Sequence, residues 1–482
     1  MRAGVARASG KTLGKTVGIL ATLWGWLSFA PMAHGQAGVT TTTGTLADGA
    51  TYLIQVPAVW NGTLLLYSHG YTVPGSPNPA RDGGDPVTIG VLLQSGYALA
   101  GSSYTTTGWA IHEALQDQIA LLDLFDSTVG HPARTIAWGH SLGGIVTAGL
   151  IQRNPARFDA AMPMCGVLSG GVGTWNQGLD SAFAFQILLG AGTSLEIVHI
   201  SDPEANAALA EGLLAEAQLT PEGRARTALI TSLSDLPGWF TPTAPEPAAD
   251  DFATQESNQF LWGQNIGVPF DFEFRAELEA RAGGNPSWNV GVNYRKQLEL
   301  SVSRDEVRAL YRAAGLSLEA DLEALNRAPR IAADPGAFAY LEQNITFNGE
   351  IRAPVLTAHT KGDGFVVVEN ETTYRHAVDR AGNGRLLRQT FVDRAGHCTF
   401  TPAETLALFD RLVERLDTGR WPDLSPAALN AAATALGPDL NINIFAGGPP
   451  TPPQFFDFRP APFLRPFTER PDGRRCEQPD GD

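Results

Sequence analysis

The feature that most constrains this chain is a glycine-rich hexapeptide, Gly-His-Ser-Leu-Gly-Gly, at positions 139–144. A short apolar run at 134–138 predicts a strand before it, and residues 142–152 predict a helix after it. A sharp strand–turn–helix connection needs small residues beside the turn, and the three glycines supply them. Ser141 is therefore expected at the head of a helix, where the helix dipole and free N–H groups favour negative charge. The alternative is an ordinary turn serine.

Strand and helix patterns alternate on both sides of this motif. A hairpin is predicted at 40–56. Further strands are predicted at 63–67, 97–102, 134–138, 158–164, 354–358 and 386–392, with helices at 112–129, 142–152, 369–381 and 402–416. Several of the strands are apolar throughout, which is typical of strands buried on both sides. The sequence thus predicts an α/β protein with a mostly parallel central sheet and helices on both faces.

This alternation stops at 167–349, where helical stretches at 203–219, 221–233, 304–314 and 317–326 are separated by loops that contain Pro and Trp. The simplest interpretation is one sheet domain, residues 36–166 and 350–420, interrupted by a mainly helical insertion. Residues 421–482 are rich in Pro and Phe. They carry too many aromatic residues for an ordinary disordered tail and are expected to form a strap across the domain surface.

The N-terminus has the pattern of a secretory signal. Four basic residues and no acidic one precede an apolar run at 17–30, and small residues follow at Ala33 and Gly35. A cleaved signal peptide of residues 1–35 predicts a secreted or periplasmic protein. The apolar run is shorter than the roughly 20 residues that a membrane span needs, so no stable membrane anchor is expected after cleavage.

Charge and cysteine content exclude several classes of partner. The net charge is −16, and removal of a basic signal would make it more negative. An acidic surface disfavours nucleic acids and anionic membranes. The three cysteines, Cys165, Cys398 and Cys476, allow at most one internal disulfide, and their spacing fits no zinc site. No metal or organic cofactor is expected.

A serine nucleophile needs a general base. Four histidines, at positions 69, 140, 359 and 397, fall at predicted strand ends. His140 adjoins Ser141 and should point away from it. His69 lies in a loop that is assigned another role, and His359 is expected to start the loop of the acid. His397 follows a late strand, and the capping box of the next helix holds its loop. His397 is therefore the predicted base.

The base in turn needs a carboxylate that orients its ring and stabilises the imidazolium. Asp363 lies in a glycine-flanked turn after the strand predicted at 354–358. Asp393 is a rival on the strand of the base itself, where a structural role is expected. Glu369 is a second rival at the expected start of a helix. Asp363 is the predicted acid.

Together these motifs resemble the α/β-hydrolase superfamily, in its lipase and esterase branch. The resemblance rests on Ser68-His69-Gly70, the hexapeptide around Ser141, Asp363 with Val366, and Gly396-His397. It covers about 200 residues, 39–166 and 350–418. It implies the α/β-hydrolase fold, in which the triad follows the chain order serine, acid, histidine.

The resemblance also indicates an oxyanion hole. One donor is expected to be the backbone N–H of Leu142, which follows the serine. The His-Gly pair after the strand at 63–67 is similar to the oxyanion loop of lipases and esterases, which points to the N–H of Tyr71 or, as a close alternative, of Gly70. A simple strand-to-loop turn is the other interpretation.

His397-Cys398 is similar to the tannase and feruloyl-esterase group, in which a cysteine follows the catalytic histidine. In that group a second cysteine precedes the serine, whereas position 140 here is His. In the α/β-hydrolase fold the loop of the base passes the end of the strand that carries Cys165. A Cys165–Cys398 disulfide is predicted on this ground. A Cys398–Cys476 pair, or three free thiols, are the alternatives.

Insertions at this point of the superfamily usually form a cap over the site. The insertion here contains Trp175, Trp239, Trp262 and Trp288. These side chains are expected either to line a pocket for an aromatic or polymeric acyl group or to pack the core of the cap itself.

The sequence thus predicts an exported serine hydrolase that cleaves carboxylic esters through an acyl-enzyme. Its expected substrates are small-molecule or polymeric esters, with aryl or bulky groups favoured. An exported aminopeptidase of the same fold is one alternative, and a non-catalytic binding protein on a hydrolase scaffold is another. The oligomeric state is left open.

Overall fold

The computed structural model describes residues 38–444 and 447–466. The predicted signal peptide, Cys476 and the end of the tail lie outside the described residues. No helix in the described part of the chain is both long enough and apolar enough to span a membrane.

In the described ranges, nine strands form one sheet. In chain order they are β1 (Val39–Thr45), β2 (Thr51–Pro57), β3 (Thr63–Ser68), β4 (Ala98–Ser102), β5 (Arg134–His140), β6 (Ala160–Met164), β7 (Val355–Gly362), β8 (Leu387–Ala395) and β9 (Phe455–Phe456). Their spatial order is β1-β2-β4-β3-β5-β6-β7-β8-β9. The six adjacent strands β4, β3, β5, β6, β7 and β8 run parallel to one another. The β1–β2, β2–β4 and β8–β9 pairs are antiparallel. This mostly parallel sheet confirms the predicted α/β class.

The helices of the described residues are α1 (Pro86–Gln94), α2 (Ile111–Thr128), α3 (Leu142–Arg153), α4 (Gly170–Leu188), α5 (Pro203–Ala217), α6 (Pro221–Ser232), α7 (Phe252–Trp262), α8 (Arg275–Ala282), α9 (Tyr294–Leu300), α10 (Arg304–Ala314), α11 (Leu318–Arg327), α12 (Pro335–Gln343), α13 (Asn370–Arg380), α14 (Pro402–Thr418) and α15 (Pro426–Ala435). Two π-helical turns, Gly263–Gly267 and Phe270–Phe274, lie between α7 and α8, and a 3₁₀ turn covers Gly384–Leu386.

The core follows from the alternation of side chains along the central strands. Leu65 of β3 and Trp138 of β5 belong to a buried cluster with residues of α1, α14 and α15. Trp138 meets Phe409 of α14 edge-on, with ring centroids 5.0 Å apart. Leu64 and Leu66 are equally buried and, by the two-residue period of a strand, face the opposite side, where α2 and α3 pack.

Two strands extend further than the apolar runs predicted. β7 continues past Ala358 and β8 past Val392, because a bulge lets the pairing resume between Gly362 and Ala395. His359 therefore lies inside β7 rather than at the start of a loop. The predicted ends at Ala358 and Val392 were wrong, since polar residues in these strands hid the continuing ladder.

Helices α4–α12 lie between β6 and β7, in the stretch predicted to be an insertion. They enclose a second buried cluster that includes Phe183, Leu229, Phe272 and Tyr311. The sequence analysis missed α4, which is buried on nearly every side and so shows no amphipathic period. We call α4–α12 the cap. Its limits as a separate domain stay a prediction, because the described residues form one compact unit.

The described part of the C-terminal segment follows the sheet edge. β9 pairs with β8 through Phe391 and Phe456. Further along, the guanidinium of Arg465 lies 2.7 Å from a carboxylate oxygen of Asp180 in α4 and donates to the Trp288 carbonyl at 2.9 Å. These contacts join the segment to both the sheet and the cap.

Candidate active site

Ser141 occupies the turn between β5 and α3 in a backbone conformation that non-glycine residues rarely adopt, with φ 60° and ψ −123°. Its N–H donates to the carbonyl of Met164 at 3.0 Å, and its own carbonyl accepts from Gly144 at 2.8 Å. These bonds hold a strained residue in place, and such strain is common at functional sites. The side chain is presented at the N-terminus of α3.

The glycines of the hexapeptide allow backbone segments to approach the turn closely. A Cβ added at Gly139 or Gly143 would overlap the carbonyl of Ser68 at the end of β3. A Cβ at Gly144 would overlap the Cα of Gly166, which follows β6. The three positions therefore exclude side chains for steric reasons, as the sequence analysis expected of the turn.

His397 and Asp363 form a direct pair. Nδ1 of His397 lies 2.7 Å from Oδ2 of Asp363. The other carboxylate oxygen accepts the backbone N–H groups of Phe365 and Val366, both at 2.9 Å. Asp363 is fully buried, and the His397 side chain is 20% exposed. A carboxylate held in this way orients the imidazole with Nδ1 as donor and leaves Nε2 available as an acceptor.

The loop of His397 is fixed from both sides. The N–H of Gly396 donates to the carbonyl of Gly362 at 3.0 Å, which joins this loop to that of Asp363. Behind it, Thr401 and Glu404 form the predicted capping box of α14. The Glu404 carboxylate also receives two hydrogen bonds from the buried guanidinium of Arg394, at 2.8 and 2.9 Å.

The contact between base and nucleophile is open in this structure. Nε2 of His397 lies 3.4 Å from Sγ of Cys398, and within the described ranges no hydrogen bond joins it to Oγ of Ser141. Hydrogen bonds between catalytic groups are often long without substrate and tighten in the complex.

The rival acids lie elsewhere. Asp393, on β8, lies 3.7 Å from Nζ of Lys361. Glu369 is the residue before α13 and lines a different cavity from Ser141. Among the described residues, Asp363 is the acid hydrogen-bonded to His397.

His359 is a residue near this pair that the sequence analysis placed outside the site. It is fully buried on β7, with Nε2 3.7 Å from the Asp363 carboxylate and Nδ1 3.3 Å from the carboxylate of Glu371 in α13. Nε2 also lies 2.7 Å from the carbonyl of Val366. Burial alone would lower the pKa of His359, but the hydrogen bond and charge of Glu371 and the charge of Asp363 outweigh it and raise the pKa. Both ring nitrogens of His359 face acceptors, a carboxylate and a carbonyl, and this geometry favours the protonated, cationic ring.

We expect His359→Gln to destabilise the protein more at pH 6 than at pH 9. A raised pKa in the folded state gives stability that is complete below the unfolded value of about 6.5 and is lost as the pH rises through the folded value. Removal of one partner from a buried ion pair costs roughly 3 kcal/mol where the charge is present. Urea unfolding at the two pH values measures the difference in the free energy of unfolding between the wild type and the variant. The contributions of titrating groups that the substitution does not affect cancel in this difference. Equal losses at both pH values would contradict a cationic His359.

Cys165 and Cys398 form a disulfide, with Cα atoms 5.4 Å apart. Both residues have positive φ values, 43° and 55°. The N–H of Cys165 donates to the carbonyl of Ala358 at 2.7 Å, so the bridge links the residue beside His397 to the ends of β6 and β7. Cys165, His397 and Cys398 are also the one group of three potential metal ligands in the described ranges. The two sulfurs bond to each other, so neither is a free thiolate.

The predicted oxyanion loop lies directly against the serine. A Cβ at Gly70 would lie 3.4 Å from Cβ and 3.8 Å from Oγ of Ser141. Tyr71 and Leu142 line the same cavity as Ser141. Leu142 is the first residue of α3, so its N–H has no partner within the helix. This geometry brings the predicted donors to the serine and leaves the choice between Tyr71 and Gly70 open.

His69 holds that loop. Its ring stacks on Tyr104, with centroids 3.9 Å apart, and its nitrogens lie 2.7 Å from the carbonyl of Gly70 and 2.9 Å from that of Ser103. Burial, aided by the charge of Arg81, lowers the pKa of His69 to about 4. The two contacts of the ring tie the loop of Gly70 to the residue that follows β4.

Ser141 opens into a cavity of about 110 Å³ between the sheet and the cap. Its walls are mainly apolar, and five aromatic residues line it: Tyr71, Trp109, Trp175, Phe270 and Phe365. Phe270 and Phe365 pack with centroids 4.7 Å apart, and Phe365 lies 4.7 Å from the ring of His397. An apolar cavity of about 150 Å³ holds benzene, so this space suits a group of about one ring.

The four tryptophans of the cap lie in different surroundings, and not all of them take one of the two expected roles. Trp175 lines the Ser141 cavity. Trp239 lines a separate cavity of about 560 Å³ on the other side of the Asp363 loop. Trp262 packs against Gly364, and Trp288 packs edge-on against Phe338. Trp109, a pocket residue outside the cap, was missed because nothing in its local sequence marks it.

A sheet of this order, with a serine at the strand–helix turn after β5 and an Asp–His pair after β7 and β8, defines the α/β-hydrolase fold. The chain is 30% identical over 437 residues to an o-phthalyl amidase of Xanthobacter agilis, a match that covers 84% of this chain and 94% of that protein. The chain belongs to the family of that amidase, within the α/β-hydrolase superfamily, and is a hydrolase.

Other comparisons are weaker. No family model matches the chain. An esterase from Aspergillus oryzae aligns over 80% of each chain with 13% identity and a TM-score of 0.41. The rice cell wall degrading esterase LipA from Xanthomonas oryzae covers 79% of this chain and 89% of its own, with 13% identity and a TM-score of 0.34. The acylaminoacyl peptidase of Pyrococcus horikoshii covers 79% and 42%, with 11% identity and a TM-score of 0.38. At such scores these similarities carry no argument about function.

Proposed function

We propose that this protein is a serine hydrolase that transfers an acyl group from a carboxylic ester to Ser141 and then to water. The observation that carries the proposal is the His397–Asp363 pair at 2.7 Å, together with Phe365, which packs on the ring of His397 and lines the cavity of the strained Ser141. A carboxylate-oriented imidazole beside a serine at a helix N-terminus is the arrangement that acyl transfer requires.

The proposed reaction has two halves. Oγ of Ser141 attacks the carbonyl carbon while Nε2 of His397 takes the hydroxyl proton, and the N–H groups of Leu142 and of Tyr71 or Gly70 bind the oxyanion. Collapse of the tetrahedral intermediate breaks the bond to the alcohol, which receives that proton. Water then attacks the acyl-enzyme with His397 as base and releases the acid.

Amide hydrolysis is a second candidate, favoured by the 30% identity to an o-phthalyl amidase. The same residues can serve, because His397 can protonate the leaving amine as it protonates an alcohol. The small aromatic cavity at Ser141 supports a compact aryl acyl group for either bond type. It gives less support to the bulky or polymeric esters that the sequence also suggested.

Export of the mature chain is part of the proposal. It rests on the predicted signal peptide at residues 1–35, and the Cys165–Cys398 disulfide supports it, since such bonds persist mainly in oxidising compartments.

The substrate proposal predicts a preference for aryl acyl groups. The mature protein should hydrolyse p-nitrophenyl benzoate with a kcat/KM at least about tenfold above that for p-nitrophenyl acetate or palmitate, because one ring fills the cavity. Benzoyl p-nitroanilide, which has the same acyl group, tests the amide candidate. Release of p-nitrophenol or p-nitroaniline measures all four rates. A preference for the acetyl ester, or for the palmitoyl ester, would refute the proposed aryl specificity. It would leave the proposed catalytic roles of Ser141, Asp363 and His397 unaffected.

A further inference from the structure

We infer that Asp271 is a substrate-binding residue that recognises a protonated amine on the group held beside Ser141. The inference rests on the proposed function and narrows its substrates to amine-bearing aryl esters or amides. Asp271 and Ser141 line the same cavity, and the Asp271 side chain plays no part in the proposed acyl transfer.

The placement of the carboxylate depends on two local features. Asp271 lies on the π-helical turn Phe270–Phe274, directly after a first π-helical turn that also contributes to the cavity wall. Such turns are rare and occur frequently at functional sites. Opposite it, a Cβ at Gly178 of α4 would lie 2.5 Å from Oδ1 of Asp271. The missing side chain at Gly178 is therefore what makes room for the carboxylate.

The Asp271 carboxylate lacks a hydrogen-bond partner within the described ranges. Asp271 is only 8% exposed, yet no hydrogen bond from the described residues reaches it. Arg275, one turn further on, instead donates to the carbonyl of Trp175 at 3.1 Å and to Oγ of Ser287 at 3.4 Å, and lies 3.8 Å from Glu279. Buried carboxylates normally have hydrogen-bond partners. Burial raises the pKa of Asp271 to about 7, and the charge of Arg275 offsets this only in part.

The remaining walls select the ligand. No Lys, Arg or His is among the described residues that line the cavity. An anionic group would therefore meet a carboxylate and no cation. An ammonium would donate a charge-assisted hydrogen bond to Asp271 and could contact the face of Trp109 or Tyr71. Binding of the amine would also keep Asp271 ionised.

The test uses matched methyl esters that differ in one substituent. The set comprises the methyl esters of 3- and 4-(aminomethyl)benzoic acid, of the corresponding methylbenzoic acids, and of the corresponding carboxybenzoic acids. At about pH 8, where benzylic amines are still charged, the wild-type kcat/KM should be highest for an amine-bearing ester and lowest for a carboxylated one.

Asp271→Asn should lower kcat/KM for the preferred amine-bearing ester by about tenfold or more, equivalent to about 1.4 kcal/mol, and change that for its neutral partner less than threefold. Glu273→Gln is the matched control, because it removes a carboxylate from the same π-helical turn outside the cavity lining, and it should leave the amine-to-neutral ratio unchanged. Asp271→Ser gives a second neutral variant if the first folds poorly.

The outcomes separate the two proposals. Wild-type preference for neutral or carboxylated esters, or an unchanged ratio in both Asp271 variants, rejects the role of Asp271 while leaving ester hydrolysis intact. Failure of the wild type to hydrolyse these esters, p-nitrophenyl benzoate and benzoyl p-nitroanilide alike rejects the proposed function itself.

Discussion

Ser141→Ala is expected to lower the kcat for ester and amide hydrolysis by about 10⁶ while leaving the fold intact, the loss typical of a removed serine nucleophile. Alanine cannot form an acyl-enzyme, and the small side chain fits the space that Ser141 occupies between Gly70 and the start of α3. The measurement is p-nitrophenol release, with circular dichroism to show that the fold persists.

A second readout separates loss of the nucleophile from loss of the site. A fluorophosphonate should label the wild type at one serine, found by peptide mapping at Ser141, and should not label the alanine variant. Ser127→Ala, at an exposed position near the end of α2, is the matched control and should be labelled and active like the wild type. Activity above a few per cent in Ser141→Ala would exclude Ser141 as the nucleophile.

The parts of the fold that sequence could predict are those with local causes. The strand at residues 134–138 and the helix after it are encoded by a short apolar run and by glycines that only a sharp turn requires. The capping box at Thr401 and Glu404 is equally local. Candidate acids and bases could be selected because their loops follow such strands, and the structure joins Asp363 to His397 by a hydrogen bond.

The remaining features depend on contacts between distant segments. The continuation of β7 and β8 to Gly362 and Ala395 follows from a ladder across a bulge, which neither strand encodes alone. The raised pKa of His359 depends on Glu371, a residue of a different element whose carboxylate lies 3.3 Å from Nδ1. The isolation of Asp271 follows from the use of Arg275 by other acceptors. No periodicity within one segment reveals such pairings.

The roles of individual side chains in the cap also depend on contacts between distant segments. Its tryptophans are alike in sequence, yet Trp175 lines the Ser141 cavity while Trp288 packs beside Phe338. What distinguishes them is the neighbouring element: α4 begins directly after the strand that follows the serine helix, so its first turns lie over the site. The tryptophan content of the insertion was enough to predict an aromatic pocket. It could not show which of the tryptophans line that pocket.

The second large effect is expected for Asp363→Asn, with a loss of roughly 10⁴ in kcat. The Asn amide can still accept the N–H groups of Phe365 and Val366 through its oxygen, so the loop should keep its shape. Its NH₂ group then faces Nδ1 of His397 as a donor. The imidazole must take the tautomer with the proton on Nε2, and a protonated Nε2 cannot accept the proton of Ser141.

Asp393→Asn is the matched control, because it removes a carboxylate from the strand of the base, where the partner is Lys361 rather than His397. It should cost less than tenfold. Steady-state kinetics on one aryl ester rank the two variants, and thermal unfolding shows whether either loss reflects the fold. If Asp393→Asn proves the more damaging with its fold intact, the acid has been assigned wrongly, and the 2.7 Å contact between His397 and Asp363 is structural rather than catalytic.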